Sequence, residues 1–433
     1  MLSNWKKYRL NELFDFHSGM SYSRSVLGEE GAYYLHYGDI HKMNQSVFDT
    51  SVDTWLPKID KDVNELKEHA LLYSGDVVFA DASEDYEGIA KSVVIKNDEG
   101  LPFLSGLHTI IGKDKTNILS NEYKKYFLLT QEVKRQYRFL ATGTSVYGIS
   151  KSNLPKVEVL VPPLNEQRKI ADFLTSVDNA ISKTEAIIEQ TEKVRKGLMQ
   201  QLLTKGIGHT KFKQTEIGEI PEEWQLRSVG EMAQIQGGYA FKSSEYKNEG
   251  IQLIRISNLF GNYLNLTKDP VFLPSSFAVD YERYVIKPND LIICMTGTVG
   301  KEDYGHVVEI PDELQHRLLL NQRVGRFNLQ QELDKDFFYY FLSSRLFLDV
   351  IYSYGSGSKQ ANLSGKQIES VLMPLPPIQE QKRIGSVIRS IALKLDNEKA
   401  KCYQLQRLKK GLMQVLLTGK IRVKVDDQEA VTT

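Results

Sequence analysis

The chain has 433 residues, 41% of them apolar and 25% charged, with 55 Lys and Arg against 55 Asp and Glu. That length suits two to four domains, the mean hydropathy of −0.35 suits a soluble protein, and no stretch nears the ~18 consecutive apolar residues of a membrane helix. Cys294 and Cys402 are the only cysteines and lie far apart, which excludes a disulfide framework or a Cys-cluster zinc site and makes a reducing cytoplasm the expected compartment.

The opening residues, Met1 to Lys7, lack the apolar stretch of a secretory signal. Residues 1–160 read as a mixed α+β globule of short β-branched and aromatic runs. In Gly75-Asp76-Val77-Val78-Phe79 a polar turn enters a buried strand, and one helix is expected near 122–139. Turns mixing Gly with hydrogen-bonding or basic side chains fall at 19–24 (Ser21, Tyr22, Arg24), 36–42 (His36, Lys42) and 142–147 (Thr144, Ser145, Tyr147). Residues 161–207 read as one long helix. Pro162-Pro163 stop it extending backward and set its first turn, where Glu166 suits the positive end of the dipole. Ile170, Leu174, Val177, Ile181, Ile188, Leu198 and Leu202, with Thr184 and Thr191, keep a 3.5-residue period, the mark of a coiled-coil seam.

Residues 208–223 read as a polar, glycine-rich linker. Residues 224–374 form a second globule, with Asn289-Asp290-Leu291-Ile292-Ile293 leading into a strand and a helix near 334–352. Its comparable turns lie at 237–242 (Lys242), 255–258 (Arg255, Asn258), 296–301 (Thr298, Lys301) and 356–360 (Ser356, Ser358, Lys359, Gln360). Residues 375–421 are a second long helix behind Pro376-Pro377 and Glu380, with its stripe at Ile384, Ile388, Ile391, Leu395, Cys402, Leu405, Leu412 and Leu416. Residues 422–433 read as a flexible tail.

The two helical segments are copies. At an offset of 214 they align without a gap over 47 positions, 17 of them identical, including Lys196-Gly197-Leu198-Met199-Gln200 against Lys410-Gly411-Leu412-Met413-Gln414. Trp5, Glu12 and Gly19 match Trp224, Glu231 and Gly238 at an offset of 219, so the flanking globules repeat more faintly. Two such helices suit packing on each other, or a dimerisation coil.

Proline-led helix starts (Pro-Pro-Leu-Asn-Glu-Gln, Pro-Pro-Ile-Gln-Glu-Gln), Lys-Gly-Leu-Met-Gln helix ends and the segment Ile217-Gly218-Glu219-Ile220-Pro221-Glu222-Glu223-Trp224 together resemble the specificity subunit of type I restriction–modification systems. The resemblance spans nearly the whole chain. It implies an α+β fold in which two mixed α/β target-recognition domains are separated by two long helices. Those helices would form an antiparallel coiled coil with internal pseudo-two-fold duplication. Each domain would read half of a split double-stranded DNA site, and the helices would carry two modification subunits that methylate adenine. S-adenosylmethionine would then belong to the modification subunit, and ATP and Mg to a restriction/translocase subunit, with no cofactor in this chain.

The chain's own motifs point away from catalysis. Both Pro-Pro pairs precede Leu164 or Ile378, not the Tyr or Phe of a methyltransferase loop. Around Gly297-Thr298-Val299-Gly300-Lys301 a phosphate loop would need Gly where Met295 stands and Ser or Thr where Glu302 stands. No metal-ligand spacing occurs among the eight histidines. Base edges are read by Arg, Lys, Asn, Gln, Ser and Thr, which makes the turns above the candidate DNA contacts. Charge complicates this reading: residues 1–160 hold 19 basic and 22 acidic residues, and 208–374 hold 17 and 21. Only 375–421, with 10 and 3, is strongly basic, either as a solvated rod face or as a dock for an acidic partner surface. The competing reading is a helical scaffold that binds two protein partners without DNA.

Overall fold

The structure, a computed structural model, describes residues 4–61, 65–314, 316–354 and 360–424, apart from the side chains of Arg24 and Phe260. The long helices run Leu164–Lys205 and Ile378–Leu416, each starting directly behind its proline pair. The chain divides into two compact units, Met1–Glu185 with Lys401–Thr433, and Ala186–Ala400. Packing therefore cuts both helices, whereas the sequence division kept each as a separate segment.

In the first unit a five-stranded sheet runs in the order Phe14–Ser18, Thr109–Asp114, Val77–Ala80, Ser92–Lys96, Val47–Asp49. All its pairs are antiparallel except the last. A smaller sheet orders Phe103–Ser105, Ala32–Leu35, Lys58–Ile59 and Leu27–Gly28. Strand Lys6–Arg9 pairs antiparallel with Glu158–Val161, so the start and end of the first globule meet where the first long helix begins.

The second unit repeats this plan. One sheet orders Ala233–Gly237, Val324–Leu329, Leu291–Cys294 and Val307–Glu309, and the other orders Phe272–Leu273, Ile251–Ile254, Leu318–Leu320 and Val285–Ile286. Gln225–Ser228 closes the domain against Leu372–Leu375. Corresponding four-stranded sheets of the two units each hold one parallel pair, Phe103–Ser105 with Ala32–Leu35 and Leu318–Leu320 with Ile251–Ile254. The polar turns expected before the strands are present, with Gly75 at φ +92 and Asn289 at φ +65.

Three expectations are corrected. The single helix near 122–139 is two, Asn121–Phe127 and Gln131–Leu140, because the Thr130 side chain caps the second by accepting from the Val133 amide. The helix near 334–352 likewise breaks at Ser343-Ser344 into Lys335–Leu342 and Arg345–Ser353. Within 208–223, Phe212–Thr215 pairs with Gly218–Pro221 as a hairpin that buries Ile220. The first turns of each long helix serve a domain core and the helix seam together, for Leu416 joins Ile170 and Leu174, and Leu202 joins Ile384 and Ile388. Ile170 and Leu174 lie in one core with Leu10, Tyr123 and Val159, and Ile384 and Ile388 lie in another with Trp224, Phe337 and Met373.

Along their length the helix halves pack antiparallel inside each unit. In the first, Asp178 pairs with Lys409 at 2.6 Å and Glu166 with Arg422 at 2.6 Å. In the second, Glu192 pairs with Lys399 at 2.9 Å, while Glu380 meets His209 at 2.8 Å. Ile181, Thr184, Leu395 and Cys402 are buried, and Val177, Ile188, Leu198, Ile391, Leu405 and Leu412 are half-buried. This is the antiparallel, duplicated helix pair of the α+β architecture.

Candidate nucleic-acid interface and helix anchors

In the first unit the candidate turns converge on the corner Gly106-Leu107-His108. The Tyr34 hydroxyl accepts from the amides of Tyr22 and Leu107 and donates to the Met20 carbonyl. The Tyr37 ring stands edge-on to His41 and His108, with centroids 6.0 and 5.3 Å away. His108 Nδ1 lies 3.1 Å from Asp81, and His41 Nε2 lies 2.8 Å from the Ala82 carbonyl. Ala82–Ser83 pairs with Tyr147–Gly148, and Tyr86 packs on Tyr147 with centroids 4.0 Å apart. The Tyr86 hydroxyl holds that of Tyr147 above its ordinary pKa.

The second unit builds the same corner from Asn321-Gln322-Arg323. Gly19 and Gly238 are the matched hinges: an added Cβ would come 2.0 Å from the Gly106 carbonyl oxygen and 2.1 Å from that of Asn321. No other residue permits so close an approach of two backbones. Arg323 donates to Asn362 at 2.8 Å, and Thr296–Thr298 pairs with Gln360–Asn362, as Ala82–Ser83 does with Tyr147–Gly148. His36 and Arg255 occupy equivalent places, each opening a short helix whose third residue, Asp39 or Asn258, accepts the amide of the opening residue.

The candidates separate by burial. Ser21, Lys42, Thr144, Ser145, Lys242, Lys301 and Gln360 are exposed, and Tyr22, His36, Tyr147, Arg255 and Thr298 are half-buried. Asn258 is 1% exposed and spends its side-chain amide on the Asn265 and Lys268 carbonyls, so it shapes its loop rather than facing outward. Ser356, Ser358, Lys359 and the side chain of Arg24 lie outside the described residues. The corners also hold His108, Tyr86 and Arg323, which the candidate turns read from the sequence did not include. For Arg323 the signal was legible: the polar triplet Asn321-Gln322-Arg323 interrupts two runs of buried strand residues.

Several cations beside these corners are paired within the chain. Arg138 and Lys134 pair with Glu87, Lys91 donates to the carbonyls of His41 and Met43, and Arg345 pairs with Glu302 and Asp349.

Each long helix is anchored by its Glu-Gln start. Glu166 accepts from the Trp5 indole at 2.9 Å and from Arg422 through two bonds of 2.6 and 2.7 Å. Glu380 accepts from the Trp224 indole at 3.0 Å and from the Ile207 amide at 3.0 Å, and holds His209 Nε2 at 2.8 Å. Gln167 accepts from the Ser120 amide and donates to the carbonyls of Ile118 and Pro162; Gln381 does the same with Asp334, Glu332 and Pro376. Away from their packed stripe the helices expose Phe173 and Val387, and Val194 and Leu408, two pairs at the repeat offset.

Residues 2–193 and 221–407 match the type I restriction modification DNA specificity domain. The type I restriction enzyme MjaVIII specificity subunit of Methanocaldococcus jannaschii is 33% identical over 319 residues, 72% of this chain and 73% of that protein. The EcoBI specificity subunit of Escherichia coli is 30% identical over 219 residues, 49% of this chain and 42% of its own length. Among solved structures, the S subunit of a type I restriction–modification system from M. genitalium shares the fold, with a TM-score of 0.59 at 18% identity over 95% of this chain and 96% of that one. Since the matched domain occurs twice and covers most of both units, the chain belongs to the family of type I restriction–modification specificity subunits.

Proposed function

We propose that this chain is the non-catalytic DNA-recognition subunit of a type I restriction–modification complex. Its two recognition domains each read one half of a split double-stranded target, and its long helices dock two modification subunits that methylate adenine. S-adenosylmethionine is then bound by the modification subunit, ATP and Mg by a restriction/translocase subunit where one joins, and the complex works in the cytoplasm.

The observation that carries this reading is one loop frame built twice with different tips. His36 and His108 stand in the first unit where Arg255 and Arg323 stand in the second, and Tyr147 falls where Ala361 stands. A constant frame with unlike hydrogen-bonding tips is what reading two different half-sites requires.

The helices support docking. Phe173 with Val387 and Val194 with Leu408 repeat exposed apolar side chains, and Gly197 and Gly411 have nothing within 4 Å of an added Cβ. A glycine inside a helix costs about 0.5–1 kcal/mol relative to alanine. The fold of this chain gives no reason for either glycine, whereas a closely approaching partner helix would.

The test is the methylated motif of a host expressing the chain with its modification subunit. Arg323→Ala is expected to relax one position of one half-site, at a cost of about 1–3 kcal/mol in binding, and to leave the other half intact. Assembly with the modification subunit but no motif, and no shift of any duplex, would favour the protein scaffold.

A further inference from the structure

We propose that the second unit carries a carboxylate-binding subsite, centred on Arg195, that takes an Asp or Glu side chain of a docked modification subunit. This rests on the docking reading above.

One packing site occurs in both units, and its two copies differ. In the first unit Asp178 pairs with Lys409 at 2.6 Å and accepts from the Tyr126 hydroxyl at 2.7 Å. The repeat offset of 214 maps Lys409 onto Arg195, Tyr126 onto Tyr340, and Asp178 onto Ala392. The second unit thus keeps the cation and the tyrosine and lacks the carboxylate between them.

A cavity of about 360 Å³ is found there, lined by Arg195, Tyr339, Tyr340, Ala392, Asn262 and Lys399 among others. Among the described residues, the one hydrogen bond of the Arg195 side chain is to Met199 Sδ at 3.6 Å, and its Nε is buried without a partner. The neighbouring charges are committed elsewhere: Glu192 to Lys399, and Arg389 to Glu309 and Asp336. Asp396 lines the cavity but forms no ion pair with Arg195. A guanidinium is a five-donor group that favours carboxylates, and a half-buried one without an oxygen partner is costly. The first unit shows the missing ligand in place, a carboxylate held between a cation and a phenol. The two docking sites on this chain are therefore chemically unlike: one supplies its own carboxylate and the other takes it from the partner.

The experiment uses the full chain with its modification subunit, reading stoichiometry and affinity by native mass spectrometry and titration. Ala392→Asp supplies the carboxylate in cis, so the free chain should keep or raise its melting temperature while one of two bound modification subunits loses at least about tenfold in affinity. Arg195→Met should lose the same partner, and the double variant should be no worse than either single one. Unchanged binding of both partners would overturn the proposal, as would equal losses from Ala392→Asn and Ala392→Asp, which would assign the effect to filled volume. Stabilisation of the free wild-type chain by inorganic phosphate, lost in Arg195→Met while partner affinity is unchanged, would assign the site to a free anion and overturn it too. If the wild-type chain bound no modification subunit at all, the docking reading would fail first.

Discussion

Glu166 and Glu380 bind an indole at one end of each long helix and a base from the chain that follows the other helix. Glu166 is 2% exposed, and a buried carboxylate is tolerated only when its lone pairs are taken. Glu380→Ala would orphan the Trp224 indole and the Ile207 amide; we expect a loss of about 2–4 kcal/mol, seen as a lower melting temperature, with Trp224→Phe costing about 1–3 kcal/mol. Glu309 gives the pH dependence. Burial pushes its carboxyl up, but hydrogen bonds from Lys335 and Arg389 outweigh that and hold it below the ordinary carboxylate value. Its stabilisation is then fully present above the unfolded pKa of about 4.3 and is lost as pH falls through the lower folded value. Glu309→Gln should flatten the fall of melting temperature below about pH 5; an unchanged acid limb would mean that another carboxylate sets it.

Glycines decide how closely the long helices are approached. At Gly385 an added Cβ would come 2.8 Å from Asp336 Cβ and 2.9 Å from the Phe337 amide nitrogen, whereas at Gly197 and Gly411 it would meet nothing. Helix propensity favours alanine at all three by about 1 kcal/mol. Gly385→Ala should nevertheless destabilise, because backbone cannot move aside. Gly197→Ala and Gly411→Ala should each stabilise the free chain by about 0.5–1 kcal/mol and weaken modification-subunit binding. If that binding were unchanged, the glycines would have no docking role. The helices were legible because proline pairs and a 3.5-residue period are local signals. The breaks at Thr130 and Ser343 were not, since the apolar period runs on across them and only a capping hydrogen bond or serine turn stops the helix.

For the whole molecule, the duplicated frame implies modular reading. Replacing residues 1–160 with the same region of a relative should change one half of the methylated motif alone; a change in both halves would show that the domains do not read independently. The acidic balance of residues 1–160 and 208–374, with several cations beside the loop corners already paired, implies that the chain alone binds DNA weakly and tightens with its partner, because non-specific affinity comes from phosphate neutralisation. Equal salt slopes of DNA binding with and without the modification subunit would count against that.

Proline pairs, heptad spacing and the repeat offset are properties of neighbouring residues, so the sequence by itself determined the long helices, the duplication, and the family resemblance those segments carry. It also held Trp5, Glu12 and Gly19 and their matches without saying what they do. Tertiary structure decided that Trp5 and Arg422 meet on Glu166, a contact 256 residues apart in the chain for the arginine. It also decided that Gly19 lies against Gly106, and that Arg195 lacks the carboxylate its counterpart Lys409 has. These depend on which surfaces fold against each other, and burial sets a side chain's role only once that packing is complete.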